Sequence, residues 1–186
     1  MDAATHSSIM YTFQDMHTPV LNTIMLWITR IGTDGLIWLV LGLIFLITKK
    51  YRKAGFMMFF GSSINFVLVE VLKHIVKRPR PFMTLPGLHV IGPVPHSYSF
   101  PSGHASSAFV GAFIIAYYFR AWAIPAYALA VAIAFSRVYL LVHYPSDVIG
   151  GAIIGTISVI LAFFFYRVIL KRWFNGILRG LGIEKK

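Results

Sequence analysis

Two histidines, His104 and His143, lie in sequence settings that suit catalysis. The first is part of FPSGHAS, and the second lies four residues before Asp147 in SRVYLLVHYPSD. One imidazole can attack phosphorus, a second can protonate the leaving group, and a carboxylate can fix the tautomer of the attacking ring. We therefore expect a phosphoryl-transfer site in which these three side chains do the chemistry.

Cations and a helix-capping pair accompany the two histidines. Lys73, Arg80 and Arg137 can bind an anion, and arginine can donate two parallel hydrogen bonds to phosphate oxygens. Ser102 and Gly103 predict the N-terminus of a helix, where serine caps and glycine lets backbone N–H groups approach a ligand closely. Together these residues predict a phosphate-binding pocket.

The composition shows what kind of protein must hold this pocket. Of the 186 residues, 58% are hydrophobic and 12% are charged, whereas soluble domains have about 45–50% apolar and about 25% charged residues. These values argue against a soluble enzyme. The net charge of +11 is interpreted as a topology and lipid-headgroup signal, not as nucleic-acid binding. The sequence has no cysteine and only six scattered acids, which excludes thiolate chemistry and argues against a carboxylate metal cage.

Apolar runs predict an all-α bundle of membrane-spanning helices in one domain, 1–186. The run 105–135 would be about 46 Å long as one helix, too long for a single span, so we divide it at Arg120. The five predicted spans are about 35–48, 54–76, 103–119, 124–139 and 146–170.

Two further segments complete the predicted architecture. Residues 18–31 have helical apolar spacing but are short and polar, which predicts a helix lying in the membrane interface. A sixth span beginning near Ser8 is the alternative. The proline-rich segment 77–102 is predicted to be the active-site loop, with 82–100 as a lid or wall that governs specificity.

The candidate site residues lie beside the ends of the second and fourth spans and the beginnings of the third and fifth. Successive spans run in opposite directions, so these ends meet on one membrane face. With five spans and an outer amino terminus, the inner side holds 11 cations and the outer side 6. The asymmetry predicts a cytoplasmic carboxyl terminus and a site facing outwards.

The motifs resemble the signature of the type-2 phosphatidic acid phosphatase superfamily, the membrane lipid phosphate phosphatases. Its blocks K-x6-R-P, P-S-G-H and S-R-x5-H-x3-D are matched within residues 73–147, with every spacing kept. The resemblance implies that His143 attacks phosphorus and forms a phosphohistidine, oriented by Asp147. It implies that His104 protonates the leaving group and then activates water, without a metal or other cofactor. The implied phosphate-binding residues are Lys73, Arg80, Ser102, Gly103 and Arg137.

The layout is similar to that of bacterial undecaprenyl-diphosphate phosphatases in this superfamily. This likeness implies a plasma-membrane enzyme that dephosphorylates the cell-wall carrier lipid at the extracytoplasmic face. Many such enzymes carry Asp where Gly103 stands, so phosphatidylglycerophosphate phosphatase is a close second, and phosphatidic acid is a further substrate candidate. A non-enzymatic headgroup binder or flippase is the remote alternative, since binding alone has no use for two histidines and a carboxylate. The expected partners are the lipid substrate and the bilayer, with the oligomeric state open.

Three other features have expected roles outside the chemistry. Glu70 is expected to pair with a basic residue one turn away on its helix. Arg78 could contact headgroups or the distal phosphate of the substrate. Gly151 and Gly155 form a small-residue face, which is typical of close helix packing.

Overall fold

A computed structural model describes residues 3–170 and residue 176, and within them all regular structure is helical. Short turns of 3-10 helix join several helices, at Thr33–Gly35, Lys49–Tyr51 and Arg120–Trp122, and a π turn follows the last helix at Tyr166–Leu170. The helices are α1 Ala3–Asp15, α2 Pro19–Ile31, α3 Leu36–Ile47, α4 Arg52–Val76, α5 Pro81–Thr84, α6 Gly103–Tyr118, α7 Ala123–Tyr139 and α8 Pro145–Phe165.

Helix α6 is the centre of the bundle. It packs against α4, α7 and α8, while α3 packs on α4, and α1 and α2 pack on α7. A helix that is apolar on all sides is stable only when neighbours cover it, and α6 buries residues on several faces. Its contacts with neighbouring helices form the main core, which includes Trp38, Met58, Ile114 and Ile133.

Helices α6 and α8 approach each other closely at two glycines of α8. A Cβ atom on Gly151 would meet the carbonyl oxygen of Ser102, and one on Gly155 would meet that of Ser106. Only glycine leaves room for this contact, so the predicted small-residue packing face is confirmed. The contact fixes the first turn of α6 relative to the first turn of α8, where site residues lie.

Several predicted boundaries are confirmed. The long apolar run is divided where expected, since α6 ends at Tyr118 and α7 begins at Ala123 after the turn containing Arg120. Pro145 is the first residue of α8, the position at which proline's missing N–H is not needed.

Two predictions need correction, and one helix was not predicted. The additional helix is α1, formed by the polar residues before 18, whose apolar side packs on the bundle and buries Met10 completely. The predicted loop 77–102 contains the short helix α5, which begins at Pro81. The predicted span 146–170 is regular α-helix only to Phe165 and continues as a π turn.

The described residues form a multi-pass membrane protein. Four segments are long and apolar enough to cross a membrane: Pro19–Ile47, Lys49–Thr84, Arg120–Tyr139 and Pro145–Ile169. The predicted interfacial helix and the first predicted span belong to one of these segments. Helix α6 has 16 residues and is therefore about 24 Å long. The count of five spans stays a prediction.

Helix α1 holds the loop that follows α5. The Tyr11 hydroxyl donates to the carbonyl of Pro86 at 2.9 Å, and Gln14 Nε2 donates to that of Gly87 at 3.0 Å. The amide of His89 donates back to Gln14 Oε1 at 2.8 Å. A helix that sequence reasoning missed thus fixes one end of the predicted specificity loop.

Candidate active site

The ends of α4, α6 and α7 and the turn between α7 and α8 line a cavity of about 400 Å³. Pro95 and Ser97 also line it, which places part of the predicted loop in its wall. Ser102 and Asp147 are fully buried and outside the cavity lining. The other six predicted site residues line the cavity: Lys73, Arg80, Gly103, His104, Arg137 and His143.

His143 lies in the buried turn 140–144 between α7 and α8. Its backbone amide donates to the carbonyl of Arg137 at 3.3 Å, and Leu141 turns the chain with a left-handed φ of 61°. Leu140, Leu141 and the following valine are almost completely buried, and their packing holds this unusual leucine conformation. The turn therefore presents the imidazole from a rigid support.

The surroundings of His143 fix its tautomer and its charge. Arg80 Nη1 lies 3.2 Å from Nε2, and because a guanidinium only donates, Nε2 accepts and the proton is on Nδ1. Burial lowers the pKa of His143 to about 4; Arg80 and Arg137 also lower it, whereas Asp147 raises it. The ring is thus neutral at pH 7, with its Nε2 lone pair at the cavity.

The Asp147 carboxylate is fully buried and accepts three hydrogen bonds. Its Oδ1 accepts from Arg78 Nη1 at 2.6 Å, and its Oδ2 accepts from Ser99 Oγ at 2.5 Å and from the Tyr144 amide at 2.9 Å. The distance from Oδ2 to Nδ1 of His143 is 3.6 Å, longer than a hydrogen bond. Asp147 therefore faces the imidazole as predicted, but the Ser99 hydroxyl holds the oxygen that is nearest to the ring.

Arg80 is 3% exposed and uses all five of its N–H donors. Besides His143, its acceptors are the Ser97 carbonyl at 2.6 Å, the Val142 carbonyl at 2.8 Å, Ser97 Oγ at 3.1 Å and the Tyr98 carbonyl at 3.3 Å. The guanidinium is thus fixed before any ligand enters. To bind phosphate with an N–H group, it must exchange one of these contacts.

The side chain of Arg137, in the last turn of α7, makes one hydrogen bond within the described part of the chain. Its Nη1 donates to Oγ1 of Thr29 on α2 at 2.5 Å, and its Nε is buried without a partner among the described residues. A buried N–H without an acceptor is costly and rare in a native protein. The side chain lines the cavity, so its guanidinium lies beside the space that a ligand would enter.

Lys73 lies in the last turn of α4 and contacts a carboxylate. Its Nζ lies 3.0 Å from Oε1 of Glu70 and 3.4 Å from Oγ of Ser97. The expected pairing of Glu70 with a basic residue one turn away is confirmed. Glu70 also lines the cavity, so its negative charge offsets part of the positive charge there.

The first turn of α6 has the predicted position but not the predicted cap. Ser102 is the N-cap residue, yet its Oγ is buried without a hydrogen-bond partner in the described part of the chain. A Cβ on Gly103 would lie 3.9 Å from Val69, an ordinary contact, so packing alone does not require glycine. His104, the next residue, lines the cavity.

Sequence reasoning missed three residues that support the site. Ser99 contacts Asp147, Thr29 holds Arg137, and Asn65 on α4 lines the cavity and accepts from the Ser106 hydroxyl. Asn65 could have been found, because an amide within an apolar span is a signal of function. The other two are ordinary polar residues whose partners lie 48 and 108 positions away.

A helical membrane bundle with two histidines, a buried carboxylate and several cations around one cavity has the composition of a membrane phosphate hydrolase site. The family model described as the PAP2 superfamily matches residues 50–173, and the chain belongs to this superfamily. The predicted family resemblance is confirmed.

Two curated relatives and two solved structures agree. The chain is 34% identical to "Undecaprenyl-diphosphatase" of Sulfolobus acidocaldarius over 137 residues, covering 73% of this chain and 66% of that protein. It is 32% identical to "Phosphatidylglycerophosphatase B" of Bacillus subtilis over 152 residues, covering 74% and 71%. The structure of Aquifex aeolicus LpxE matches with a TM-score of 0.75 at 26% identity, covering 84% of this chain and 93% of that chain.

The second structure is that of a PAP2-type phosphatidylglycerolphosphate phosphatase from Bacillus subtilis. It matches with a TM-score of 0.70 at 27% identity, covering 89% of this chain and 86% of that chain. The family and the names of these relatives place this chain among the lipid phosphate hydrolases.

Proposed function

We propose that this protein is a metal-independent lipid phosphatase that acts through a phosphohistidine on His143. The observation that carries the proposal is the neutral, rigidly held imidazole whose Nε2 faces a cation-lined cavity. A nucleophile needs this lone pair, and a phosphate needs the surrounding positive charge. A headgroup binder would need only the charge.

The reaction runs in two steps. The phosphate enters the cavity, Arg80 Nη1 exchanges His143 for a phosphate oxygen, and the freed Nε2 attacks phosphorus. The P–O bond to the leaving group breaks as His104 donates a proton to the leaving oxygen; the leaving group is the lipid phosphate for a diphosphate substrate and the lipid alcohol for a monophosphate. His104 then takes a proton from water, which attacks the phosphohistidine and releases inorganic phosphate.

The phosphate is held by charge and by backbone donors. Lys73, Arg80 and Arg137 supply the positive charge, and the free Nε of Arg137 gives one direct hydrogen bond. Ser102 and Gly103 contribute the amino-terminal end of α6, where backbone N–H groups favour anions. Asp147 faces the Nδ1 side of the nucleophile, and its negative charge stabilises the positive charge that develops on the ring, as a triad carboxylate does.

Undecaprenyl diphosphate is the substrate we propose first. The relative of that name has 34% identity, and a diphosphate suits a cavity with three cations. Phosphatidylglycerophosphate is the second candidate, supported by the Bacillus relative and by glycine at position 103.

We also propose five spans in one domain of the plasma membrane, with the site outside and the carboxyl terminus in the cytoplasm. The site lies at one end of the bundle, and the basic segment around Lys49 and Lys50 lies at the opposite end of α3 and α4. That arrangement suits the rule that cytoplasmic loops are rich in Lys and Arg.

Phosphate release by the purified full-length protein in EDTA tests the proposal. The substrates are undecaprenyl diphosphate, undecaprenyl phosphate, phosphatidylglycerophosphate and phosphatidic acid. The variant His143→Ala is compared with the control His89→Ala, which replaces an exposed histidine. We expect release in EDTA that vanishes only in His143→Ala, with the diphosphate preferred. Release that requires Mg²⁺ or survives His143→Ala would contradict the mechanism, and no release from any lipid would favour a binder.

A further inference from the structure

Arg78 makes contacts that the signature motifs do not explain. Its Nη1 lies 2.6 Å from Oδ1 of Asp147 and 2.8 Å from Oγ of Ser146, and its guanidinium stacks 4.1 Å from the centre of the Tyr144 ring. The carboxylate has no exposed surface, whereas the arginine side chain is 28% exposed. A buried carboxylate without a cation is expensive, so Arg78 stabilises the ionised form of Asp147.

The same arginine is tied to the second oxygen of the carboxylate through Ser99. The Ser99 amide donates to the carbonyl of Arg78 at 2.9 Å, and the Ser99 hydroxyl donates to Oδ2 of Asp147 at 2.5 Å. That hydroxyl lies 3.5 Å from Nδ1 of His143. Arg78 therefore holds one carboxylate oxygen directly, and the other is held by Ser99, whose backbone is hydrogen-bonded to that of Arg78.

We propose that Arg78 is a positioning residue that pairs with the ionised Asp147 carboxylate and holds it turned towards His143. The proposal rests on the proposed function, in which His143 is the nucleophile. Arg78 is outside the cavity lining, so it acts through the carboxylate and not on the phosphate. The sequence suggested a headgroup or the distal phosphate as the partner of Arg78, whereas its guanidinium is bound by Asp147.

The positive charge of Arg78 has a measurable consequence at the imidazole. It offsets the negative charge of Asp147, so the carboxylate favours protonation of His143 less than an unpaired carboxylate would. The other charged or titratable groups that face the ring or share its cavity stay unchanged when Arg78 is substituted. They are Glu70, Lys73, Arg80, His104 and Arg137.

The test is a direct titration of His143 in the full-length protein. Histidine is labelled with ¹⁵N, and the His143 signal is identified by its loss in His143→Gln, because the chain has seven histidines. We expect Arg78→Gln to raise the midpoint of His143 by about one pH unit, and Arg78→Lys to leave it near the wild-type value. The matched control is Arg30→Gln, an arginine that stacks on Trp27 at 5.2 Å, which should change nothing.

A double substitution separates positioning from general damage. Asp147→Asn removes the carboxylate that Arg78 positions, so adding Arg78→Gln should move the His143 midpoint clearly less than it does in the wild-type background. In turnover of undecaprenyl diphosphate, Arg78→Gln should lose activity at pH 5 by a larger factor than at pH 8. A purely structural role would lower both rates by the same factor.

Three results would overturn the proposal: an unmoved midpoint in Arg78→Gln, equal shifts in the Gln and Lys variants, or additive shifts in the double variant. If Arg78→Gln does not fold, Ser99→Ala replaces it and should move the midpoint in the same direction by less. Wild-type protein that releases phosphate from no lipid would defeat the proposed function alone, because the titration still reports on Arg78.

Discussion

The two buried arginines of the cavity differ in how much of their hydrogen-bonding capacity the protein itself uses. Arg80 donates all five N–H groups to acceptors of the loop after α5 and the His143 turn. The Arg137 side chain makes one hydrogen bond in the described part of the chain, to Thr29, and its buried Nε has no partner there. The wall of the cavity that contains Arg80 has every guanidinium donor paired without a ligand. The wall that contains Arg137 has an unpaired donor that a ligand could use.

This difference indicates separate duties for the two walls. The wall with Arg80 fixes the nucleophile, and a preorganised site needs no rearrangement of its dipoles during the reaction. The wall with Arg137 carries the cost of an unpaired buried donor, which a bound phosphate oxygen would remove. Losses at the first wall should therefore reduce kcat, and losses at the second should chiefly raise KM.

The largest expected effect comes from exchanging each arginine for lysine. Lysine keeps the charge but cannot reproduce the fork of Arg80, so Arg80→Lys should lower kcat/KM about 10³-fold, compared with about 10-fold for Arg137→Lys. Steady-state kinetics with undecaprenyl diphosphate measures both. Equal losses in the two variants would mean that the two walls do not differ as the contacts indicate.

The burial of His143 predicts a pH dependence of stability. Its pKa is about 4 in the folded protein and about 6.5 unfolded, so between these values the unfolded chain binds a proton that the folded protein does not. Stability should therefore fall as pH drops from about 6.5 to about 4, at a rate approaching 1.4 kcal/mol per pH unit from this group.

Thermal unfolding in detergent checks this prediction. For a chain of this length, a slope approaching 1.4 kcal/mol per pH unit should lower the melting temperature by roughly 3–6 °C per pH unit across that range. His143→Asn has the same surroundings without the titrating ring, so it should show a shallower dependence. The same slope in wild-type and variant protein would show that His143 is not the responsible group.

The smallest effect is expected when the side-chain hydrogen bond between Arg137 and Thr29 is removed. Thr29→Val keeps the shape of the side chain but takes away the acceptor, which should raise KM about 3–10-fold with little change in kcat. The matched control is Thr23→Val on the same helix, since the Thr23 hydroxyl bonds only to the Pro19 carbonyl of its own helix. If both variants behave alike, α2 does not position Arg137.

The sequence was a good guide to the order of helices and to the cavity, because both depend on local patterns. Apolar runs, Pro145 and the length limit at Arg120 are local signals, and the alternating direction of spans brings the motifs together. Cross-chain contacts could not be predicted in this way. The Arg137–Thr29 bond depends on how α2 packs on α7, and the Arg78–Asp147 pair on the course of the loop.

The hydrogen bonding of the N-cap of α6 also could not be predicted from the sequence. Ser102 has the residue type and position of an N-cap, but the close contact between α6 and α8 buries its hydroxyl away from any acceptor in the described structure. Helix α1 was not predicted because most of its residues are polar. Its narrow apolar side is stabilised only by packing against α7 and against the loop that follows α5.

The most direct test of the mechanism is to trap the phosphoenzyme. In His104→Ala, attack by His143 on undecaprenyl diphosphate can still occur, because the departing lipid phosphate needs a proton much less than an alkoxide does. No base then activates water, so phosphate should accumulate on the protein during incubation with this substrate. Rapid quenching at alkaline pH, digestion and mass spectrometry should locate an acid-labile phosphate on the peptide that contains His143. Continued turnover without any phosphopeptide, or phosphate on another residue, would contradict His143 as the nucleophile.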